Sequence, residues 1–146
     1  MITRRRSFLA AAAALALLPL ARAPRAAQFE VTKSEEDWRR LLSAEAYAVL
    51  REEATERAGS SPLLKEKRAG LYHCRGCDLA AYSSEHKYDS GTGWPSFWQA
   101  LPDAIGTRED NSLFLTRTEV HCRRCGGHFG HIFEDGPPPT GKRHCL

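Results

Sequence analysis

Gly70-Leu71-Tyr72-His73-Cys74-Arg75-Gly76-Cys77 and Glu119-Val120-His121-Cys122-Arg123-Arg124-Cys125 decide how this chain folds. Each ends in a Cys-x-x-Cys turn, and 44 residues lie between the two turns. Such a turn points two sulfurs at one ion, and two of them complete a tetrahedral four-sulfur zinc site with no open position. Cys74, Cys77, Cys122 and Cys125 are therefore the expected ligands of one structural zinc ion. Redox dithiols, or two long disulfides joining the pairs, are the alternatives in an oxidising compartment. A redox Cys-x-x-Cys normally opens a helix, whereas Leu71-Tyr72-His73 and Glu119-Val120-His121 have the texture of strands. A catalytic zinc is disfavoured, because four thiolates leave no place for water. His73 and His121 are expected to be solvated strand residues rather than ligands.

From Leu71 onward, short apolar and aromatic runs alternate with Gly, Pro, Asp and Ser, the pattern of short strands and turns. Ser112–Val120 is the best strand and His128–Phe133 a second. Gly136–Gly141 must be a loop, because its three prolines cannot donate ladder hydrogen bonds. Upstream, Ser34 is a helix N-cap followed by Glu35, Glu36 and Asp37, acids that the helix dipole favours. Trp38, Leu41 and Leu42 then make one apolar face. Ser43 caps a second helix, Ala44–Thr55, with Tyr47, Val49 and Leu50 partly inward, and a loop follows over Glu56–Pro62. The expected fold is α+β and mainly β: helices first, then a small β core stapled by metal, since so small and turn-rich a domain needs such a staple.

The 146 residues suit one domain, and 42% hydrophobic with 27% charged residues is an ordinary globular balance that excludes disorder, collagen and coiled coil. The net charge of +3 misleads. Residues 1–27 hold Arg4, Arg5, Arg6, Arg22 and Arg25 and no acid; without those five, 16 bases face 18 acids and the body carries −2. No positive field remains to attract nucleic acid, and none is expected as a partner. Residues 1–27 themselves resemble an export signal: arginines, an apolar run from Phe8 to Leu20, then small residues. Arg5-Arg6-Ser7-Phe8-Leu9 has the twin-arginine form, read by a translocase that moves folded proteins. The expectation is export to the periplasm, with an uncleaved membrane anchor as the alternative and residues 28–146 as the functional domain.

The fifth cysteine, Cys145, has no partner at Cys-x-x-Cys spacing and follows Arg143 and His144. A lone cysteine is a reactive thiol, an intermolecular link or a plain buried residue. Its setting favours the first. The blocks Gly70–Cys74, Lys87-Tyr88-Asp89-Ser90-Gly91-Thr92-Gly93-Trp94-Pro95-Ser96-Phe97, Arg117-Thr118-Glu119-Val120, Gly127-His128-Phe129-Gly130-His131-Ile132-Phe133-Glu134-Asp135-Gly136-Pro137 and Pro139-Thr140-Gly141-Lys142-Arg143-His144-Cys145 follow in that order. From about Trp38 to the end, the chain thereby resembles the methionine sulfoxide reductase B family.

The resemblance implies a β-tent fold, two small antiparallel sheets with structural zinc at one end. It also implies reduction of the R epimer of methionine sulfoxide, chiefly in proteins. Cys145 falls on the catalytic nucleophile, and His128, His131, Asp135 and Arg143 on polar positions around the reacting sulfur. Trp94 and Phe97 fall on the substrate-binding side, with Trp94 as the wall for the methyl group. The chemistry agrees: a thiolate is a soft nucleophile for sulfur, imidazole donates a proton near neutral pH, and the thiol becomes a sulfenic acid. On an ideal strand His128 and His131, three residues apart, point to opposite faces, unless Gly130 bends the chain.

Two departures from the family stand out. Many relatives carry a resolving cysteine where this chain has Thr92, so the expected reductant is a thioredoxin-like protein or a small thiol acting directly on Cys145. The family also continues beyond the nucleophile with an asparagine and a closing strand, whereas the sequence stops at Leu146, so a truncated C-terminus is expected. The assembly expected is a monomer. The competing function is a zinc-stapled module that binds oxidised or unfolded chains without turnover.

Overall fold

A computed structural model describes residues 29–112 and 115–146. The export signal expected over 1–27, and positions 113 and 114 of the strand expected over Ser112–Val120, lie outside the described residues. Two helices come first, α1 (Glu35–Leu41) and α2 (Ala44–Glu52). Among the described residues eight strands follow: β1 (Leu71–His73), β2 (Ala80–Ser83), β3 (Lys87–Tyr88), β4 (Ser96–Phe97), β5 (Ile105–Asp110), β6 (Arg117–Cys122), β7 (His128–Phe133) and β8 (Arg143–Cys145). β1 and β2 form one antiparallel pair, and the other six form an antiparallel sheet in the order β3-β4-β8-β7-β6-β5. The architecture is thus mainly β with a small helical part, as expected. Among the described residues, no helix is long and apolar enough to cross a membrane.

Ser34 caps α1 as its position predicts: its Oγ accepts from the Asp37 amide at 3.1 Å and donates to the Asp37 carboxylate at 2.7 Å. Ser43 caps α2 in the same way through the Ala46 amide, at 3.2 Å. Three local expectations are corrected. α2 stops at Glu52 rather than Thr55, because Glu53 turns left-handed (φ 58°) and the Ala54 amide closes back on the Ala48 carbonyl at 3.0 Å. Leu41 is 48% exposed, since α1 ends there and only Trp38 and Leu42 turn into the core. The strand expected from Ser112 begins at Arg117, after a turn in which the Ser112 amide donates to Asp110.

Two apolar clusters set the frame. Trp38, Leu42 and Tyr47 from the helices pack on Cys74, Cys122 and Cys125, with Leu50 and Phe129 against them. Ala81, Tyr82, Phe97, Ala100 and Ala104 form the second cluster, also touched by Phe129. The helices thus cover the cysteine end, and Phe129 joins that end to the sheet.

The position of β8 matters most for function. It lies inside the sheet, pairing Ser96 and Phe97 of β4 on one side and His131, Ile132 and Phe133 of β7 on the other. Cys145 is therefore fixed from both flanks, directly opposite Ser96 and His131, and the Leu146 amide donates to the Pro95 carbonyl at 3.0 Å.

Candidate active site

The two Cys-x-x-Cys turns are built alike. In each, the first cysteine's amide donates to the carbonyl five residues on (Cys74 to Leu79, Cys122 to Gly127; both 2.8 Å). Its carbonyl accepts from the amide four residues on, that of Asp78 at 2.8 Å and of Gly126 at 2.9 Å. Both of those fourth residues have positive φ, 59° and 69°. The result is two matching knuckles whose sulfurs face each other. All four sulfurs lie within 4.8 Å of one another, with Cys74 to Cys125 at 3.7 Å and Cys77 to Cys122 at 3.4 Å. A tetrahedral metal with sulfurs at about 2.3 Å requires sulfur pairs about 3.8 Å apart. These separations match a shared ion and are far too long for disulfides. Hydrogen bonding to Cys122 pushes the Cys125 thiol up, as expected where sulfurs crowd together. The donor set fits one metal ion.

The fifth cysteine stands apart, and the sheet register arranges its surroundings. Residues directly opposite in antiparallel strands share a face. Arg108, Glu119, His131, Cys145, Ser96 and Tyr88 pair in sequence across β5, β6, β7, β8, β4 and β3 and so form one row. His128 reaches the same face by a β-bulge. Glu119 and His121, two apart on β6, pair with His131 and His128, three apart on β7. The extra residue restores the alternation, which removes the objection that the two histidines must diverge. Their rings are 5.4 Å apart, edge to face. Gly130 makes this geometry feasible, since its φ is +147° and any Cβ there would collide with the Cys145 carbonyl.

Each histidine is backed by a carboxylate. His128 Nδ1 lies 2.7 Å from Glu119 Oε1, and His131 Nε2 lies 2.7 Å from Asp110 Oδ2, which also receives Arg117 at 2.6 Å. Hydrogen bonds from Ser112, then from His131 and Arg117, hold the Asp110 carboxyl well below the usual carboxylate range. A carboxylate on one ring nitrogen leaves the other nitrogen of each imidazole directed elsewhere.

Cys145, His128, His131 and Trp94 border one cleft of about 610 Å³, and Phe97 forms part of its floor. The Trp94 ring is fixed by its Nε1–H, which donates to the Glu56 carbonyl at 2.9 Å. Phe97 is 1% exposed and packs on Tyr72 and Tyr82, so it supports the cleft floor rather than offering an open face. Arg143 and Asp135 do not line it. They form a two-pronged ion pair at 2.9 and 3.0 Å, with the guanidinium 4.4 Å from the Phe133 ring. Arg143 shares a strand face with Cys145 two residues on, and Asp135, with Cys145 nearby, holds its pKa above the ordinary arginine value. His144 points the other way, buried against the Tyr82 hydroxyl at 3.1 Å, and burial lowers its pKa to about 4. Thr92 is tied into a hydroxyl chain with Ser90 (2.9 Å) and Ser96 (2.7 Å from Ser90).

Sequence reasoning missed Glu119 and Asp110, which lack a motif of their own. Only the period-two placement of Glu119 relative to His121, with β7 opposite, would have revealed it. His121 also differs from expectation: its side chain is 14% exposed, wedged between Phe29 and Gly106, so it is not solvated. His73 is exposed, as expected, and neither histidine joins the four-sulfur cluster.

A lone thiol bordering one cleft with two carboxylate-backed imidazoles and an aromatic ring, on a β domain with a four-cysteine cluster, defines a thiol-dependent enzyme. The SelR domain family matches residues 42–146, and the chain belongs to that family. The peptide methionine sulfoxide reductase MsrB of Methanosarcina mazei is 50% identical over 121 residues, covering 82% of this chain and 86% of that protein. Its namesakes from Bradyrhizobium diazoefficiens (52% over 118 residues; 80% and 85%) and Leptospira interrogans (46% over 119 residues; 81% and 91%) are similarly close.

Proposed function

We propose that this chain is an oxidoreductase that reduces peptide methionine sulfoxide, specifically its R epimer, to methionine. The observation that carries the proposal is the row placing Cys145 opposite His131 with His128 on the same face, all bordering one cleft. The methyl group of the substrate rests on Trp94, and the sulfoxide sulfur faces Cys145. The thiolate attacks that sulfur while a histidine gives a proton to the oxygen. The oxygen then passes to Cys145 as the substrate S–O bond and the new bond between the two sulfurs both break, and methionine leaves, so that the cysteine is oxidised to a sulfenic acid and the substrate reduced. The other four cysteines are committed to the cluster, so an external dithiol, such as that of a thioredoxin-like protein, attacks the sulfenic sulfur and expels water, and its second thiol breaks the resulting mixed disulfide to free Cys145 and leave the reductant as a disulfide.

The ion held by Cys74, Cys77, Cys122 and Cys125 is zinc, the metal that four thiolates favour; when bound it supplies folding energy and no catalytic water. Residues 1–27 direct the folded, metal-loaded protein to the periplasm through a twin-arginine signal. Cys145→Ser is the direct test of the enzyme: it abolishes reduction of an R-sulfoxide peptide while the circular dichroism spectrum stays that of the parent. Unchanged activity in that variant would exclude the proposed nucleophile.

A further inference from the structure

The cleft histidine His128 is held by a carboxylate that does not itself reach the cleft. Glu119 is 2% exposed, lies on the site face of β6 and borders no part of the cavity. A carboxylate so buried is costly unless matched by charge and hydrogen bonds. Arg108 on β5 supplies an ion pair to Glu119 and a second one to Glu53 at the end of α2. Opposite charges therefore alternate along Glu53, Arg108 and Glu119 and end at His128 Nδ1, 2.7 Å from Glu119 Oε1. The only other imidazole nitrogen within 4 Å of this carboxylate among the described residues is that of His121, whose Nδ1 is 3.6 Å from Oε2 and makes no hydrogen bond.

We infer that Glu119 is a positioning residue, acting on the substrate only through His128. By accepting the Nδ1–H it fixes the ring plane and tautomer and reserves Nε2 for the cleft. That nitrogen then carries the transferable proton when the ring is charged and receives it back when the ring is neutral. Removing Glu119 does not strand a buried cation, because Arg108 is half exposed and keeps Glu53.

This rests on His128 acting at the sulfoxide oxygen, so the test separates the two ideas. The kcat and KM for a methionine sulfoxide peptide, with a small dithiol as reductant, are measured for His128→Ala, Glu119→Leu, Glu119→Gln and the His128→Ala/Glu119→Leu pair. His128→Ala slows turnover. Glu119→Leu lowers kcat about 10- to 100-fold with KM changed less than about twofold. Glu119→Gln, which retains an acceptor, recovers most of that loss, and Glu119→Leu costs little once His128 is absent. A Glu119→Leu protein as fast as the parent, or one whose defect persists undiminished without His128, overturns the role of Glu119. A His128→Ala protein as fast as the parent overturns the assignment of His128 itself. Should Glu119→Leu not fold, imidazole nitrogen NMR of the parent protein decides: an Nδ1–H tautomer of His128 supports the inference and an Nε2–H tautomer overturns it.

Discussion

At the scale of single residues, β8 divides its work by alternation. Arg143 and Cys145 share one strand face, on which Cys145 alone borders the cleft, while His144 between them is buried on the other face with its ring against Tyr82. Burial holds His144 near a pKa of about 4 in the folded protein, against about 6.5 when unfolded. Between those values the unfolded chain binds a proton that the folded one does not, so stability falls as pH drops from about 6.5 to about 4. The loss amounts to about 3 kcal/mol at most, and urea titrations across that range measure it. His144→Leu flattens this limb; an equal acid sensitivity in that variant would assign it to other groups. Asp110 and Asp135 act lower down, since both are held below their ordinary values and lose their contribution only in stronger acid.

The residue types that carry their own chemistry were legible in the sequence: four cysteines at paired spacing, a lone cysteine, and two histidines near it. Glu119 was not, because a buried carboxylate looks in sequence like any solvated strand charge. Its burial follows from β5 and β7 closing over both sides of β6, a tertiary fact.

At the scale of elements, the site depends on one bulge and one glycine. β7 carries an extra residue opposite β6, which turns His128 onto the face of His131. Gly130 then lets β8 approach closely enough to pair Cys145 with His131. Gly130→Ala is expected to cost at least about 2 kcal/mol, from the left-handed φ and the collision with β8, and to reduce turnover. A chemical denaturation midpoint and a rate measure both effects; an unshifted midpoint would show that the strands separate without penalty. Strand β7 was legible to the residue because its aromatic and aliphatic residues are bounded by Gly126-Gly127 and Gly136. Strand β5 was not, as an edge strand whose middle residues are mostly charged and exposed, and Ser112 belongs to the turn after it. The length of α2 was equally hidden, because a left-handed Glu53 ends the helix where glycine would have announced it.

At the scale of the whole molecule, the cysteine cluster brings together the loop between β1 and β2 and the end of β6, two parts of the chain that share no strand pairing. Cys74 and Cys77 come from the loop between β1 and β2, while Cys122 ends β6 and Cys125 follows it. Trp38 and Leu42 pack on this junction, and Arg51 donates to the Cys125 carbonyl at 3.1 Å. A four-thiolate ion contributes about 10 kcal/mol or more, comparable to the entire stability of a small domain. Chelation of the purified protein is therefore expected to remove its cooperative thermal transition, as read by circular dichroism. An apo protein melting within a few degrees of the holo form would show that the core stands without metal. The paired motifs made the four-cysteine cluster legible in advance; the way the helices cap it depends on packing that no local pattern records.

The central claim is that Cys145 receives the oxygen of the sulfoxide. One equivalent of an R-methionine sulfoxide peptide, added to the reduced, metal-loaded protein without any reductant, tests it by intact and peptide-resolved mass spectrometry. The account predicts one added oxygen on the peptide containing Cys145, trapped by a sulfenic-acid reagent, together with one methionine released per chain. An unmodified Cys145 after that turnover, or oxidation confined to Cys74, Cys77, Cys122 and Cys125, would contradict it.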